Sequence, residues 1–222
     1  MLASDVILRV RDTLADPDGD RWDDARLLRL LDEAQKVICL KNKCLRKTID
    51  IIAHNNQSNY NLPTDFSLLT RIKYNGKPLE IATRDNLDFK LGYTWMQEVG
   101  TPKYAVVDKM NKGTILLVPT PSFTEPLNFN LATANLITLF YIKKPETITS
   151  LTDVMELDED YKVMLIKYVC GFSLRDDMDT QNRSFGNEEL MLFNEWLKTI
   201  EVDISKDFTA QTSYSTKYRS MT

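Results

Sequence analysis

Residues 16–38 read DPDGDRWDDARLLRLLDEAQKVI, and in this stretch a chain reversal, a helix start and an apolar face follow one another directly. Pro17 and Gly19 among aspartates mark a tight polar turn. Asp23 stands where its carboxylate can accept the free amide hydrogens of a first helical turn, and Asp24 where the helix dipole favours negative charge. Leu27, Leu30, Leu31, Ala34, Val37 and Ile38 then recur at steps of three and four, which predicts a helix with one buried stripe. Arg29 with Glu33 and Asp32 with Lys36 lie four apart and predict an ionic opposite face. Trp22, the bulky group of the turn, is expected to cover the open end of a helix pair.

Upstream, Val6, Ile7, Val10 and Leu14 keep helical spacing and Ser4 is the expected cap, so a first helix runs to about Ala15 and the short turn returns the second antiparallel. Downstream of Lys43 the texture changes to Leu45, Ile49, Ile51 and Ile52 among β-branched residues, and a sheet begins. Tyr60, Leu62 and Pro63 read as an extended edge. Asn75-Gly76 suits a tight hairpin between 71–74 and 79–81, because both turn positions tolerate positive φ. Thr83 caps a short helix to Leu91. A second hairpin pairs 104–107 with 114–118 around Asn111-Lys112-Gly113. Ile137 to Ile142 reads as a strand buried on both faces, with Pro145 as a stop.

The final third returns to helix. Tyr161, Met164, Leu165, Tyr168, Val169 and Phe172 share one face, 179–186 reads as a polar loop, and Asn187 is the expected cap of a last helix carrying Leu190, Phe193, Leu197, Ile200 and Ile204. Beyond Lys206 almost no aliphatic residue remains, so that segment reads as an extended tail. The expected fold is α+β: a helical bundle of residues 1–43 and 154–205, an inserted antiparallel β-rich domain of 44–153, and an extended C-terminal tail of 206–222.

The composition narrows the chemistry. With 222 residues, 43% hydrophobic and 27% charged, the chain is an ordinary globular protein, and no apolar run approaches the ~20 residues of a membrane helix. Three scattered cysteines, Cys39, Cys44 and Cys170, imply a reducing compartment such as a cytoplasm, and the N-terminus does not read as a secretory leader. A net charge of −4 gives no general attraction for nucleic acid. His54 is the only histidine, so no His-based metal site or catalytic triad is expected. Cys39 and Cys44 lack the second ligand pair that zinc requires. Asp16, Asp18 and Asp20 imitate the start of a calcium loop, but Arg21 replaces its glycine and Leu27 its bidentate glutamate. No glycine-rich phosphate loop occurs. Asp153, Glu156, Asp158, Glu159 and Asp160 cluster ahead of a helix, where acids stabilise its start; a cell-wall hydrolase using them is the enzymatic alternative. Lys41, Lys43, Arg46 and Lys47 form the densest basic patch, which the end of a helix favours on dipole grounds, with a DNA-facing role as the alternative. Neither catalytic residues nor a metal or other cofactor is expected.

The order of features resembles the head-to-tail adaptor, or neck, proteins of tailed bacteriophages. The resemblance rests on Trp22-Asp23-Asp24 with Leu27-Leu28 and Asp32-Glu33-Ala34-Gln35, followed in order by Tyr60, Leu62, Pro63 and Asp65, Gly76 to Leu79, Gly100-Thr101-Pro102 with Tyr104, Leu117 to Pro121, Tyr141 with Pro145, and Leu157 to Tyr161. Ala25 departs from it, since members often carry an acid there. The resemblance implies a non-enzymatic virion protein of the neck region, a homo-oligomeric ring, typically a dodecamer, that joins the portal protein to tail or nozzle proteins. It further implies that DNA passes with only transient, non-specific contact and that no membrane is involved. On that reading the tail docks on the portal through Phe208, Tyr214 and Tyr218, with Lys217 and Arg219 pairing acids. The alternative within the class is another phage connector, such as a tail terminator or tail-tube ring.

Overall fold

A computed structural model describes residues 1–107, 113–123 and 135–219, with 201–219 described by their backbone alone. Five helices occur in it: α1 (Ala3–Leu14), α2 (Asp24–Asn42), α3 (Arg84–Leu91), α4 (Lys162–Arg175) and α5 (Thr180–Arg219). The strands are β1 (Arg46–Ile52), β2 (Asn59–Asn61), β3 (Phe66–Tyr74), β4 (Lys77–Pro78), β5 (Glu80–Ala82), β6 (Val99–Gly100), β7 (Tyr104–Val107), β8 (Thr114–Val118), β9 (Thr120–Pro121) and β10 (Leu136–Lys143). The fold is α+β, as the periodicities predict. Two compact units divide it, a helical one of Met1–Leu45 with Lys144–Thr222 and a β-rich one of Arg46–Lys143.

In the helical unit, Asp23 caps α2 as its sequence position requires, accepting Arg26 N at 2.6 Å. Leu27, Leu31, Ala34 and Ile38 are wholly buried, and each large aliphatic among them contributes roughly 2 kcal/mol by leaving water. The polar face of α2 is less solvated than its charge pattern predicts. Asp32 pairs with Lys36, yet it is buried, and its Oδ1 accepts Ile148 N at 3.1 Å. Gln35, also buried, donates to Glu146 O at 3.1 Å and accepts Glu156 N at 3.2 Å. These bonds tie the segment that follows Lys143 to α2, which is why it belongs with the helices. The same segment serves α1. Ser4 is not its cap; the Ala3 and Ser4 amides donate to the Asp153 and Leu151 carbonyls at 3.0 Å, a backbone partner that no local sequence pattern announces.

The start of α5 corrects the sequence reading. Asn187 lies inside the helix and 179–186 is not a loop: Gln181 N donates to Asp179 Oδ1 at 2.8 Å and Arg183 N to Asp179 O at 3.0 Å, so Asp179 is the cap. Gly186, which reads as a loop marker, is a contact glycine. A Cβ on it would stand 2.5 Å from Arg175 N and 2.7 Å from Gly171 O, and one on Gly171 would meet Leu190 Cγ at 2.7 Å. The two glycines let α4 and α5 cross in backbone contact. At the far end the backbone stays helical to Arg219 where an extended tail from residue 206 is expected, since no Pro or Gly follows Gly186 and extending a helix is easier than nucleating one.

In the β unit, β10 is central in a sheet of order β1-β10-β3-β4, antiparallel throughout. Ile137, Leu139 and Tyr141 are buried, and of the alternate residues Ile142 is buried while Phe140 is half-buried beneath Lys73 and Arg71, so the two-sided burial that the apolar run predicts is met at Ile142 and only partial at Phe140. Tyr141 OH donates to Asp65 Oδ1 at 2.9 Å, and Lys47 donates to its Oδ2 at 2.8 Å. Asn75 and Gly76 form the predicted tight turn with φ of 47° and 76°. The returning strand stops after Pro78, however. One more ladder bond, from Leu79 N to Ile72 O at 3.0 Å, follows it, and β5 then joins a second sheet of order β2-β8-β7-β5, parallel to β7. The hairpin of β7 with β8 forms as predicted, with Asn111-Lys112 outside the described residues. Thr83 caps α3, accepting Asn86 N at 3.3 Å.

Candidate interaction surfaces

The turn between α1 and α2 is built around a guanidinium that its sequence position does not single out. Arg11 Nη1 reaches Asp16 O at 3.2 Å and Asp16 Oδ2 at 3.3 Å, while Nη2 reaches Trp22 O at 3.1 Å and Asp24 Oδ1 at 2.5 Å. Asp16 in turn accepts Trp22 N at 3.1 Å and Arg21 N at 3.3 Å. Burial alone would raise the Asp16 carboxyl, but the Trp22 and Arg21 amides and the Arg11 charge outweigh it and hold its pKa below the ordinary value. Gly19 is required here: its φ is 76°, and a Cβ would stand 2.7 Å from Arg11 Nη1. Trp22 is buried with the Arg21 guanidinium 4.6 Å above its ring. Asp16, the first carboxylate of the calcium-like series, is thus engaged by Arg11 and backbone amides, while Asp18 and Asp20 are exposed.

Arg21 also donates to Asp177, whose other donors are Asn182 Nδ2 at 2.6 Å, Met178 N at 2.7 Å and Asp179 N at 3.5 Å. The Arg21 contact first, then the Asn182 amide, holds the Asp177 pKa down to about 2. A depressed carboxylate pKa stabilises the fold above the unfolded value of 3.8, and that contribution fades as pH falls through about 2. Arg21→Ala is expected to return Asp177 toward 3.8, read by carbon-detected carboxylate titration; an unmoved midpoint would show that Asn182 and the backbone suffice.

The acidic cluster ahead of α4 does not converge on a common point. Asp153 accepts Thr149 N at 2.8 Å and Ser150 N at 2.9 Å, which lower its pKa, and Glu156 accepts Glu146 N at 3.0 Å. Asp158, Glu159 and Asp160 open the turn before α4. The Asp153 and Glu156 carboxylates hold loop backbone. His54 is exposed; its backbone amide and carbonyl both meet the Tyr60 hydroxyl, at 3.1 and 3.2 Å. Of the basic patch, Lys43 is the left-handed cap of α2 with φ 51°, and Lys47 is bound to Asp65. Among the described residues no group of three or more His, Cys, Asp or Glu is arranged to hold a metal ion, and no helix is long and apolar enough to cross a membrane.

Large apolar groups instead lie outside. In the β unit Phe89 and Tyr93 are 94% and 90% exposed, and Met96 and Val99 of the same stretch are exposed too. In the helical unit Met178, Val154, Val163, Phe185 and Met191 are exposed. Single exposed apolar residues are ordinary, but four within residues 89–99 mark a surface that gains nothing from the isolated chain. Phe89 and Tyr93 carry a weak sequence signal of this, since they lie four apart and out of phase with Leu87 and Leu91. Phe208, Tyr214, Lys217, Tyr218 and Arg219 all fall on the backbone of α5, and their side chains are outside the described residues.

A scaffold whose carboxylates and guanidinia secure its own turns, and whose unsatisfied surface is apolar, belongs to the class of proteins that act by contact with other proteins. The family of SU10 adaptor proteins matches residues 1–212, and the chain belongs to that family of phage head-to-tail adaptors. No curated protein matches the chain. It is therefore a structural connector and a virion component. Of the expected docking residues, Phe208 lies within the matched range, and Tyr214, Lys217, Tyr218 and Arg219 lie beyond it.

Proposed function

We propose that copies of this chain close into a ring, of twelve subunits by analogy with neck proteins, that joins the portal to the tail and leaves a central passage for DNA. The observation that carries the reading is the family match over residues 1–212. The exposed apolar groups of both units support it, since side chains such as Phe89, Tyr93 and Met191 would be covered by neighbouring subunits. The net charge of −4 supports a passage that does not retain phosphate. The C-terminal part of α5 docks on the portal, with Phe208, Tyr214 and Tyr218 giving apolar contact and Lys217 and Arg219 pairing acids. Helical backbone to Arg219 favours presentation of these residues along an arm of regular pitch, at 1.5 Å rise per residue.

Copurification with isolated portal tests this. Deleting 209–222 is expected to abolish portal binding while the thermal midpoint of the remaining chain is unchanged. Undiminished binding would remove the docking role of α5. Binding to isolated tail but not to portal, by the full chain, would move the protein to the tail-terminator or tail-tube class. Mass measurement of the assembly gives the subunit number.

A further inference from the structure

Cys39 and Cys44 fail as a zinc pair on ligand count, but the structure brings their sulfurs to 3.9 Å. The cause is local. Lys43 takes the left-handed conformation that ends α2, and its amide donates to Cys39 O at 2.9 Å, so the chain turns back and lays Cys44 against the last turn it has just left. The two thiols differ in access: Cys39 is buried in the core of the helical unit, whereas Cys44 is half-buried at its edge. We propose that Cys39 and Cys44 form a reversible oxidation site that takes a small disulfide of the glutathione type, with Cys44 as the attacking sulfur and Cys39 as the resolving one.

Cys44, having lost its proton, attacks one sulfur of oxidised glutathione and expels a glutathione thiolate. Cys39 then loses its proton and attacks the Cys44 sulfur, breaking the mixed disulfide and expelling the second glutathione thiolate. The protein pair gives up two electrons, and its two protons end on two glutathione thiols. The neighbourhood fits these roles. The Cys39 thiol, hydrogen-bonded to Cys44, favours the Cys44 thiolate, against burial and the nearby Asp158, and sets its pKa below the ordinary value. Cys170 is the built-in contrast: buried beside Val10 O, its thiol is pushed up to about 12 and stays inert. The site does not depend on the ring reading. A virion component leaves the reducing interior of the cell for an oxidising medium, and a paired thiol responds to that change. The bond would close a small ring over 40–43 and fasten Cys44, one residue before the helical unit hands over to β1, to the end of α2.

The test uses the full native chain, incubated with oxidised glutathione, then unfolded in denaturant, alkylated and digested. Free thiols are expected to fall from three to one, with a reducible peptide linking Cys39 to Cys44 and with Cys170 alkylated. Trypsin cleavage after Lys41 or Lys43 should leave fragments joined until a reductant is added. Cys39→Ser should stop at a single glutathione adduct on Cys44. Should that variant not fold, Cys44→Ser, changed at the half-buried position, must leave both remaining thiols free. A stable glutathione adduct on Cys44 in the unaltered protein, three unreacted thiols, or thiol loss in Cys44→Ser would each overturn the proposal.

Discussion

Gly186→Ala is expected to lower the stability of the helical unit by about 3 kcal/mol, the upper part of the usual range for overpacking. For a domain of this size that corresponds to a fall in thermal midpoint of roughly 6–12 °C. The new methyl would meet Arg175 N at 2.5 Å and Gly171 O at 2.7 Å, and both are main-chain atoms that cannot turn aside. Relief requires α4 and α5 to separate along the whole crossing, which loosens Phe193 and Leu197 from Tyr168 and Val169 in the same core. Gly113→Ala is the control, because nothing lies within 4 Å of its missing methyl and its backbone needs no positive φ. Scanning calorimetry of the two variants distinguishes them; equal midpoints would mean that the helices re-seat without cost.

Arg11→Leu is expected to have an effect of similar size, a drop of roughly 5–10 °C in midpoint, from removing one partner of a largely buried ion pair. Leucine replaces the stem of the side chain but not its donors, so Trp22 O loses its guanidinium donor, while Asp16 O keeps the Gly19 amide and the Asp16 carboxylate keeps the Trp22 and Arg21 amides but no cation. Arg11→Lys is not expected to restore the midpoint, since a single ammonium cannot span acceptors that the two guanidinium nitrogens divide between them. Full rescue by lysine would show that charge alone, and not the fork, secures the turn. A second signature accompanies the loss. The Asp16 carboxyl, freed of its cation, titrates higher and has lost part of its stabilisation already at neutral pH, so the stability gap between Arg11→Leu and the unaltered protein narrows as pH falls below the ordinary carboxylate range.

How far the fold could be read from residues alone depended on whether the determining contact was local. The cap at Asp23, the stripe of α2, the Asn75-Gly76 turn, the cap at Thr83 and the strand around Leu139 each rest on a few adjacent residues, and each forms as predicted in position. Errors fall where distant segments decide. Ser4 is a good cap by composition, but the carbonyls of Leu151 and Asp153 already serve the first amides of α1. Gly186 reads as loop because glycine usually ends helices, whereas here it serves a crossing with Gly171, which lies on another helix. Asp32 reads as solvated because the segment it binds, at Ile148, lies more than a hundred residues away, where Gln35 also bonds Glu146 and Glu156.

The candidate surfaces were less legible still. An exposed phenylalanine and a buried one share a letter, and it is the packing of α3 through Leu87 that turns Phe89 outward. The family resemblance, by contrast, could be read from an ordered series of turns and caps, because that order is itself a record of the fold.

The pairing of Arg46 with Ile142 means that the chain leaves the helices and comes back to them along two neighbouring antiparallel strands. The β-rich segment is thus a cassette with both ends side by side. The length of chain inside it therefore does not set the span that the bundle must bridge. A short glycine linker in place of 46–143 should therefore leave a bundle that still assembles its own core.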